Sequence, residues 1–312
     1  MSFTGEVKAE ISKNELLDCC AKAQLAGLIQ SSGSINISNK TLALTTISQN
    51  PTVTKRVFSL TKKLYGSSID LSMLKQMRFK KNNQYQLTIK ENVKEILNDL
   101  GILKDFSIES FPKNILRKDC CKRAYLAGCF LAKGSINSPI TTNYHLEIVA
   151  NDSFQAQGIL KLINKYDLKA KIIKRRNQEV IYLKTSEKIG DFLRLVGAYE
   201  SLMKFEDIRI QRDLMNSMIR SNNCEIANEV KVLKMADKQI QDIEIINQSV
   251  GLDYLEDKLK LVAQLRLANS EASLNDLVLL YYQSYKEEIS KSGIRHRFNK
   301  INKIAEQFKY KL

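Results

Sequence analysis

Proline is scarce in this 312-residue chain, and long apolar runs are missing from it. The prolines are Pro51, Pro112 and Pro139, so the last 173 residues contain none and are free to form long helices. No apolar run approaches the roughly 18 to 20 residues that a membrane span needs. The first residues also lack the apolar core of a signal peptide. The sequence therefore predicts a cytosolic protein that does not enter a membrane.

Histidine is also scarce, and the cysteines show no spacing that is typical of a zinc site. The chain has only His145 and His296. Its six cysteines are Cys19, Cys20, Cys120, Cys121, Cys129 and Cys224. A cytosolic chain of this length does not need disulfides to stay folded. We therefore expect buried free thiols, with neither a bound metal nor a cofactor.

Acidic residues are too few to balance the basic ones. The chain has 49 Lys and Arg against 34 Asp and Glu, a net charge of +15, and 44% of its residues are hydrophobic. This hydrophobic content excludes a disordered tail protein. The charge favours a polyanionic partner, although some basic soluble proteins bind no nucleic acid. Most of the excess, +14, lies in residues 1–221, whereas residues 251–312 carry +3.

An internal repeat organises the first two thirds of the chain. Residues 18–36 read DCCAKAQLAGLIQSSGSIN and residues 119–137 read DCCKRAYLAGCFLAKGSIN, with 11 of 19 positions identical at an offset of 101. After each copy, periodicity predicts two strands, a helix, two more strands and a helix, so each half is αββαββα. The small residues Gly27 and Gly128 are expected to let the two motif helices cross about a pseudo-twofold axis.

The motifs LAGLIQSSG, at residues 25–33, and LAGCFLAKG, at residues 126–134, resemble those of the LAGLIDADG homing endonuclease family. The resemblance implies that the motif helices form the interface between halves and that two four-stranded sheets form a basic saddle over DNA. In active members, the last acidic residue before the motif glycine binds the catalytic metal ions. Ser32 and Lys133 occupy those positions here. Serine is a poor metal ligand and an ammonium repels the ion, so we expect no enzymatic activity.

Over essentially its whole length, the chain is similar to the WhiA family of bacterial DNA-binding regulators. The similarity includes the Cys-Cys pair before each motif, the segment 222–248 and the stretches VGLDYLEDKLKLVAQLRLANSEASLNDL and ISKSGIRHRFNKINKIAEQF. It implies a degenerate LAGLIDADG domain joined to a C-terminal helix-turn-helix. It also implies roles in transcription regulation, cell division and chromosome segregation. The implied partner is double-stranded DNA, with other regulatory proteins as further candidates, and the implied location is the nucleoid.

The last third of the chain reads as helices, with an interruption expected at Asn222 and Asn223. Gly251 is expected to end the connector helix, and Ser273 to cap a short helix. A turn at residues 283–288 then precedes a last helix that begins near Ser290 or Ser292. Its predicted apolar stripe is formed by Ile294, Phe298, Ile301, Ala305 and Phe308.

Basic and polar residues fall on the opposite arc of this last helix. From residue 290 to residue 312 there are seven basic residues and one acidic residue. A solvated helix face has the same charge pattern, but the preceding helices and the family resemblance favour a recognition helix in the DNA major groove. The predicted DNA-binding residues, within a helix-turn-helix at about 273–306, are Ser273, Ser290, Lys291, Ser292, Arg295, His296, Arg297, Asn299, Lys300 and Lys303. No partner for general-base chemistry is identifiable for His296, and His145 is predicted to lie on a strand surface.

Basic residues also lie on or beside the predicted hairpins of the repeat. The candidates for contacts with the DNA backbone are Lys80, Lys81, Lys171, Lys174, Arg175 and Arg176. A solvated hairpin surface, or one adapted to protein partners, is the alternative interpretation.

The sequence thus predicts an α+β fold, in which a duplicated αββαββα LAGLIDADG-type domain with pseudo-twofold symmetry precedes an all-α helix-turn-helix domain. The expected boundaries are 1–106 and 107–221 for the two halves, 222–250 for a helical connector and 251–312 for the helix-turn-helix. The function predicted is non-catalytic, sequence-specific DNA binding. The alternatives are a metal-dependent DNA endonuclease and an RNA-binding, maturase-like protein.

Overall fold

The computed structural model of the protein describes residues 2–38, 41–75, 83–104 and 107–309. The chain forms two compact units, Met1–Arg212 and Asp213–Leu312. Helices and antiparallel sheets build the first unit, and the described part of the second unit is helical. This confirms the predicted fold class. The finer division into two halves, a connector and a helix-turn-helix stays a prediction.

The first half of the repeat follows an N-terminal helix and has the predicted order of elements. The elements up to the second half are α1 (Phe3–Lys13), α2 (Asp18–Ser32), β1 (Gly33–Ser38), β2 (Thr41–Ser48), α3 (Pro51–Tyr65), β3 (Ile69–Lys75), β4 (Asn83–Ile89), α4 (Val93–Asp99), β5 (Leu103–Lys104) and β6 (Ser107–Ile108). Strands β5 and β6 form a short hairpin between the halves. Asn50 caps α3, because its side chain accepts a hydrogen bond from the backbone N–H of Thr52, and Pro51 occupies the first helical position.

The second half repeats the same order. Its elements are α5 (Asp119–Lys133), β7 (Gly134–Ile136), β8 (Leu146–Ala150), α6 (Ser153–Asn164), β9 (Lys171–Arg175), β10 (Gln178–Leu183) and α7 (Ser186–Leu195). Strand β8 begins at Leu146, so His145 precedes the strand in which the sequence analysis placed it. The two halves therefore confirm the αββαββα repeat.

Each half contains a four-stranded antiparallel sheet. The strand orders are β1-β2-β4-β3 and β7-β8-β10-β9. In the register, Leu44 lies opposite Ile89 in the first sheet, and Ile148 lies opposite Ile181 in the second. All four side chains are buried. Since successive residues of a strand point to opposite faces, these positions define the face that packs on α3 or α6.

Helices α2 and α5 cross at backbone contact, as the small residues of the motifs predict. A Cβ atom added to Gly27 would lie 2.5 Å from the carbonyl oxygen of Tyr125, and one added to Gly128 would lie 2.2 Å from that of Gln24. The two glycines thus occupy equivalent positions on the two helices. The reciprocal contact is what a pseudo-twofold relation between the halves requires.

Helix α1 was not expected from the sequence. It packs along the edge strand β7 of the second sheet. Phe3, Val7 and Ile11 are buried in the core of the first unit. The Thr4 hydroxyl both donates to the carbonyl of Ile136 at 2.8 Å and accepts from its N–H at 3.0 Å. Because Ile136 lies in the edge strand β7, this contact satisfies backbone groups that an open edge leaves unpaired.

Helix α8 (Tyr199–Ser249) runs without a break through Asn222 and Asn223. The interruption expected at these asparagines is therefore wrong. Asparagine lowers helix propensity by only a fraction of a kcal/mol, and the flanking residues include neither proline nor glycine. The helix ends before Gly251, whose positive φ of 79° favours glycine.

The second unit has its own hydrophobic core, formed where the end of α8 meets the helices that follow. These helices are α9 (Asp257–Ala268), α10 (Leu274–Tyr285) and α11 (Lys291–Phe308). The core includes Ile243 and Ile246 of α8, with Val262, Leu277 and Ile294 from the other helices. Each of these five side chains is fully buried.

A buried arginine holds the turn between α9 and α10. Arg266 is 1% exposed, and its Nε donates to the side-chain oxygen of Gln239 at 3.0 Å. Its Nη1 donates to the carbonyls of Asn269, Ser270 and Ala272 at 3.1, 3.3 and 2.7 Å. Burial lowers the pKa of this guanidinium. Arg266 therefore joins three carbonyls of this turn to the side chain of Gln239 in α8.

Candidate nucleic-acid interface

Serine caps fix the two helices of the predicted helix-turn-helix. Ser273 forms a capping box with Asp276, in which each side chain accepts from the other residue's backbone N–H. Ser290 caps α11 by accepting from the N–H of Gly293 at 3.1 Å. Helix α10 thus begins after the predicted cap Ser273, and α11 begins after Ser290, one of the two predicted starts. The turn expected at residues 283–288 begins later than predicted, because α10 continues to Tyr285 and the chain then leaves the helix through Lys286, with φ 57°.

One face of α11 packs onto the scaffold helices. Ile294, Phe298, Ile301 and Ala305 are buried, as the apolar stripe predicts, and Phe308 is half-buried against Tyr254. This packing holds the helix by one side only. The N-terminal part of its other side is left open to solvent.

The open side of α11 gathers most of the predicted DNA-binding residues. A shallow depression of about 570 Å³ is lined by Ser290, Lys291, Ser292, Arg295, His296 and Asn299, and these side chains are exposed. The hydroxyls of Ser290 and Ser292 lie 2.8 Å apart at the start of the helix. Lys300 and Lys303 are also exposed, although they do not line the depression. Donors and positive charge therefore converge at a helix N-terminus, which attracts phosphate.

Besides Ser290, which caps α11, two further predicted residues are used inside the second unit. Ser273 is occupied by the capping box described above. Arg297 is half-buried, and its Nη1 donates to the Tyr281 hydroxyl at 3.0 Å and to the Lys258 carbonyl at 3.4 Å. The Arg297 guanidinium thus lies on the scaffold side of α11, apart from the depression.

The hairpin of β9 and β10 presents the basic residues predicted for the second half. Lys171, Lys174, Arg175 and Arg176 are all exposed. Alternation along β9 places Lys171 and Arg175 on the outer face, whereas Lys174 shares its face with the partly buried Ile172. Arg176 and Asn177 form the tight turn, with φ values of 49° and 60°. Lys80 and Lys81 lie outside the described residues.

An acidic residue partly offsets this positive charge. Glu147 lies on the outer face of the second sheet, with its carboxylate 3.5 Å from Arg175 and 3.1 Å from His145 Nε2. The Ser135 hydroxyl donates to the same carboxylate at 3.3 Å. His145 is half-buried, because its ring also stacks on Tyr182. The outer face of this sheet is therefore a polar network of mixed charge.

The two motif positions at which the sequence resemblance leads us to expect catalytic acids carry Ser32 and Lys133, and both side chains bind the protein itself. Ser32 donates to the carbonyl of Leu28 in its own helix at 2.7 Å. Lys133 donates to the side-chain oxygen of Asn151, whose amide in turn donates to the carbonyl of Gln30. Burial lowers the pKa of the Lys133 ammonium. No carboxylate is supplied by the motif at either position.

Sequence reasoning missed a cluster of four cysteines at the starts of α2 and α5. The Sγ atoms of Cys19, Cys20, Cys120 and Cys121 all lie within 4.8 Å of one another. The expectation of buried thiols is wrong for Cys120 and Cys224, which are exposed, and for Cys19, which is half-buried. The signal available in the sequence was the recurrence of the Cys-Cys pair at the repeat offset, since equivalent residues that lie close to a twofold axis also lie close to each other.

The environment affects these thiols unequally. Burial raises the pKa of Cys121 to about 11 and raises that of Cys20 further. A hydrogen bond from the Cys20 thiol lowers the pKa of Cys120. The remaining cysteines, Cys129 and Cys224, lie outside the cluster, the first buried and the second exposed.

Among the described residues, no helix is both long enough and apolar enough to cross a membrane.

Comparison with known families finds matches along most of the chain. The WhiA N-terminal LAGLIDADG-like domain matches residues 18–103, the WhiA LAGLIDADG-like domain matches residues 122–215, and the WhiA C-terminal HTH domain matches residues 218–305. These three segments coincide with the two halves of the repeat and with the helices that carry the depression.

Similar proteins span the same length. A protein named probable cell division protein WhiA from Macrococcus caseolyticus is 42% identical over 310 residues, which cover 99% of this chain and 97% of that protein. Proteins of the same name from Bacillus cytotoxicus and Pediococcus pentosaceus are 43% and 45% identical over 311 residues. These matches cover 99% of this chain in both cases, and 98% and 100% of the respective relatives.

Solved structures show the same fold. The crystal structure of full-length WhiA from Thermatoga maritima has a TM-score of 0.61 and 24% identity, with 99% of each chain covered. The crystal structure of the N-terminal LAGLIDADG domain of WhiA has a TM-score of 0.51 and 21% identity, over 63% of this chain and 90% of that one.

Proposed function

This chain belongs to the WhiA family, and from that premise we propose that it is a non-catalytic protein that binds double-stranded DNA at specific sequences. Its C-terminal helix-turn-helix domain suggests DNA binding, and its relatives are named probable cell division proteins. The proposal extends to transcription regulation, cell division and chromosome segregation. It places the protein in the cytoplasm, on the nucleoid, where other regulatory proteins are candidate partners.

The observation that carries the proposal is the depression at the start of α11. It combines a positively charged side chain, Arg295, with Asn299, His296 and two serine hydroxyls. Arginine and asparagine are the side chains that make bidentate contacts with guanine and adenine in the major groove. The opposite face of the same helix is packed on the scaffold, so the reading face is held in place before DNA arrives.

The proposed division of labour assigns phosphate contacts to the repeat domain. Residues 1–221 carry a net charge of +14, and the β9–β10 hairpin exposes Lys171, Arg175 and Arg176. Such contacts give affinity without sequence preference. Under this proposal the hairpin holds the backbone of the duplex, and α11 selects the sequence.

The absence of enzymatic activity is supported by the chemistry at Ser32 and Lys133. Hydrolysis assisted by two metal ions needs carboxylates that hold the ions and offset their charge. Here the Ser32 hydroxyl is bound to its own helix, and the Lys133 ammonium occupies the other motif position. Incubation of the purified protein with duplex DNA and Mg²⁺ or Mn²⁺ is expected to leave the DNA intact. Metal-dependent cleavage that persists through stringent purification would contradict this.

Selection of bound duplexes from a random library tests the recognition helix. The full-length protein is expected to enrich one motif, and the affinity for that motif is then measured by fluorescence anisotropy. Replacing Arg295 or Lys300 with Ala should cost about 1–3 kcal/mol per lost base contact and reduce the discrimination against scrambled duplexes. Lys234→Ala, which removes an exposed lysine of α8, is the control and should bind as the wild type does.

Binding measurements with these variants, and with RNA in place of the duplex, separate the alternatives. If both substitutions leave binding to every duplex unchanged, α11 is not the recognition helix. If the wild-type protein prefers single-stranded or structured RNA over its selected duplex at every salt concentration, the proposal of DNA binding is wrong and an RNA-binding role takes its place.

A further inference from the structure

The two Cys-Cys pairs of the repeat meet at the interface between the halves. Cys19 and Cys20 lie in the first turn of α2, and Cys120 and Cys121 lie in the first turn of α5. The repeat offset makes Cys19 equivalent to Cys120 and Cys20 equivalent to Cys121. Exposure follows this symmetry, because Cys20 and Cys121 are 6% and 3% exposed, whereas the other two thiols are more accessible. The cluster thus consists of an inner and an outer pair related by the pseudo-twofold axis.

We propose that these four thiols bind one thiophilic divalent cation of the Zn²⁺ type as a structural tetrahedral site. Four sulfur ligands in this geometry are typical of structural zinc. When four points all lie within 4.8 Å of one another, some point lies within about 2.9 Å of all of them. Each sulfur therefore needs to move inward by only about 0.6 Å to reach a Zn–S distance of about 2.3 Å.

The electrostatic surroundings suit such a site. Four thiolates around a divalent cation carry a net charge of −2, and the N-termini of two helices favour negative charge. The neighbouring carboxylates are engaged elsewhere, since Asp18 lies 3.1 Å from Lys63 Nζ and Asp119 accepts from the Tyr166 hydroxyl at 2.7 Å. Sulfur is therefore the donor that the cluster offers to an ion.

The position of the cluster makes the proposed ion structural. Ser32 and Lys133 end the same two helices about 13 residues further on, which corresponds to about 20 Å along a helix. An ion at the cysteines is thus remote from the positions where homing endonucleases hold their catalytic metals. It would instead join α2 to α5 at the end opposite Gly33 and Gly134, and so link the two halves.

Metal analysis of the full-length protein tests the proposal. Protein purified anaerobically under reducing conditions is stripped with a chelator and titrated with Co²⁺, whose thiolate charge-transfer and visible d–d bands report tetrahedral sulfur ligation. We expect saturation at about one Co²⁺ per chain, displacement by Zn²⁺, and a lower melting temperature for the stripped protein. Absence of the cobalt bands, or bands that indicate octahedral oxygen ligation, would overturn the proposal.

Variants identify the ligands. The double variant Cys19→Ser/Cys120→Ser removes the two more accessible thiols without opening the core, and it should lose the tetrahedral cobalt spectrum. Cys224→Ser, which removes an exposed cysteine of α8 outside the cluster, is the matched control and should bind cobalt as the wild type does. Equal cobalt binding by the double variant and the wild type would show that the ion is held elsewhere.

Alkylation gives a readout that does not depend on the spectrum. With Zn²⁺ present, a thiol-alkylating reagent should modify Cys224 while Cys120 is protected, although both are exposed in the structure. Removal of Zn²⁺ should make Cys120 reactive. Equal reactivity of Cys120 with and without Zn²⁺ would contradict the site, as would disulfides among the four cysteines in the anaerobically purified protein.

Discussion

Arg297 donates a hydrogen bond to the Tyr281 hydroxyl at 3.0 Å, with its guanidinium 5.2 Å from the centre of the tyrosine ring. The same hydroxyl lies 3.4 Å from the carboxylate of Glu287, in the segment between α10 and α11. Tyr281 is fully buried. Arg297 therefore links α11 to the scaffold and to the preceding loop, while Arg295, two residues earlier, lines the open depression.

This difference predicts separate effects for two arginines that lie two residues apart on α11. Arg297→Ala should lower the free energy of unfolding by about 1–3 kcal/mol, because it leaves the buried Tyr281 hydroxyl without its charged donor. Arg295→Ala should change stability by less than about 0.5 kcal/mol, because it removes an exposed side chain. Urea unfolding of both variants measures the stabilities. Wild-type stability of Arg297→Ala, together with a loss of DNA affinity equal to that of Arg295→Ala, would place Arg297 among the base contacts that the sequence predicts.

Substitution at the helix crossing should be poorly tolerated. A Cβ atom at Gly27 or Gly128 meets a backbone carbonyl oxygen of the other motif helix at 2.5 or 2.2 Å, and neither helix backbone yields easily. Each Gly→Ala variant should therefore lose about 3 kcal/mol of stability. Helix propensity alone predicts the opposite sign, a gain of up to about 1 kcal/mol. Melting temperatures distinguish the two, and a stabilised variant would show that the helices do not approach this closely.

The stability of the first unit should depend on the charge of Lys8. This side chain is 9% exposed, and burial lowers its pKa from 10.5 to about 8. The folded state thus disfavours the ammonium. Below pH 8 Lys8 is charged in both the folded and the unfolded state, and its burial then lowers the free energy of unfolding by roughly 3 kcal/mol. This loss of stability disappears as the pH rises towards 10.5.

Lys8→Met should remove this penalty. We expect the variant to be more stable than the wild type at pH 7, with a difference that shrinks steadily between pH 8 and pH 10. Urea unfolding of both proteins across this range measures the difference, and the other titrating groups cancel in the comparison. A difference that stays constant with pH would mean that Lys8 keeps an ordinary pKa in the folded protein.

The repeat made the first unit predictable from the sequence, because both copies must satisfy one packing arrangement. The motif glycines, the strand pairs and the helix caps follow from local pattern and from that symmetry. Helix α1 was missed although Phe3, Val7 and Ile11 recur every four residues and Ser2 caps the helix, so its local signal was present in the sequence. The continuity of α8 through Asn222 was missed because the low helix propensity of two consecutive asparagines was taken to end the helix, although its cost is small.

The candidate interface was predictable only in part. Helical periodicity separates the buried stripe of α11 from its polar arc, and Ser290, Arg295 and Asn299 lie where that pattern places them. Periodicity cannot reveal that Arg297 meets Tyr281, since the partner lies on another helix. The cysteine cluster was hidden for the same reason, because its two pairs are 101 residues apart in sequence.

The basic hairpin of the repeat domain should contribute to DNA affinity without contributing to specificity. Alternation places Lys171 and Arg175 on the outer face of β9, and Arg176 extends from the turn. Replacing each of the three with Ala should weaken binding to selected and scrambled duplexes by the same factor. Each lost phosphate contact should also reduce the slope of log K against log salt by about 0.9.

Lys174→Ala is the matched control for these three substitutions. Lys174 carries the same charge on the same strand, but alternation places it on the opposite face. It should therefore leave the salt slope unchanged, and anisotropy titrations over a range of salt concentrations measure the slopes. If all four variants keep the wild-type slope, this hairpin does not contact DNA, and its positive charge serves a protein partner or the solvent. A loss of affinity for the selected duplex alone would instead mean that the hairpin reads sequence, which would reverse the proposed division of labour between the repeat domain and α11.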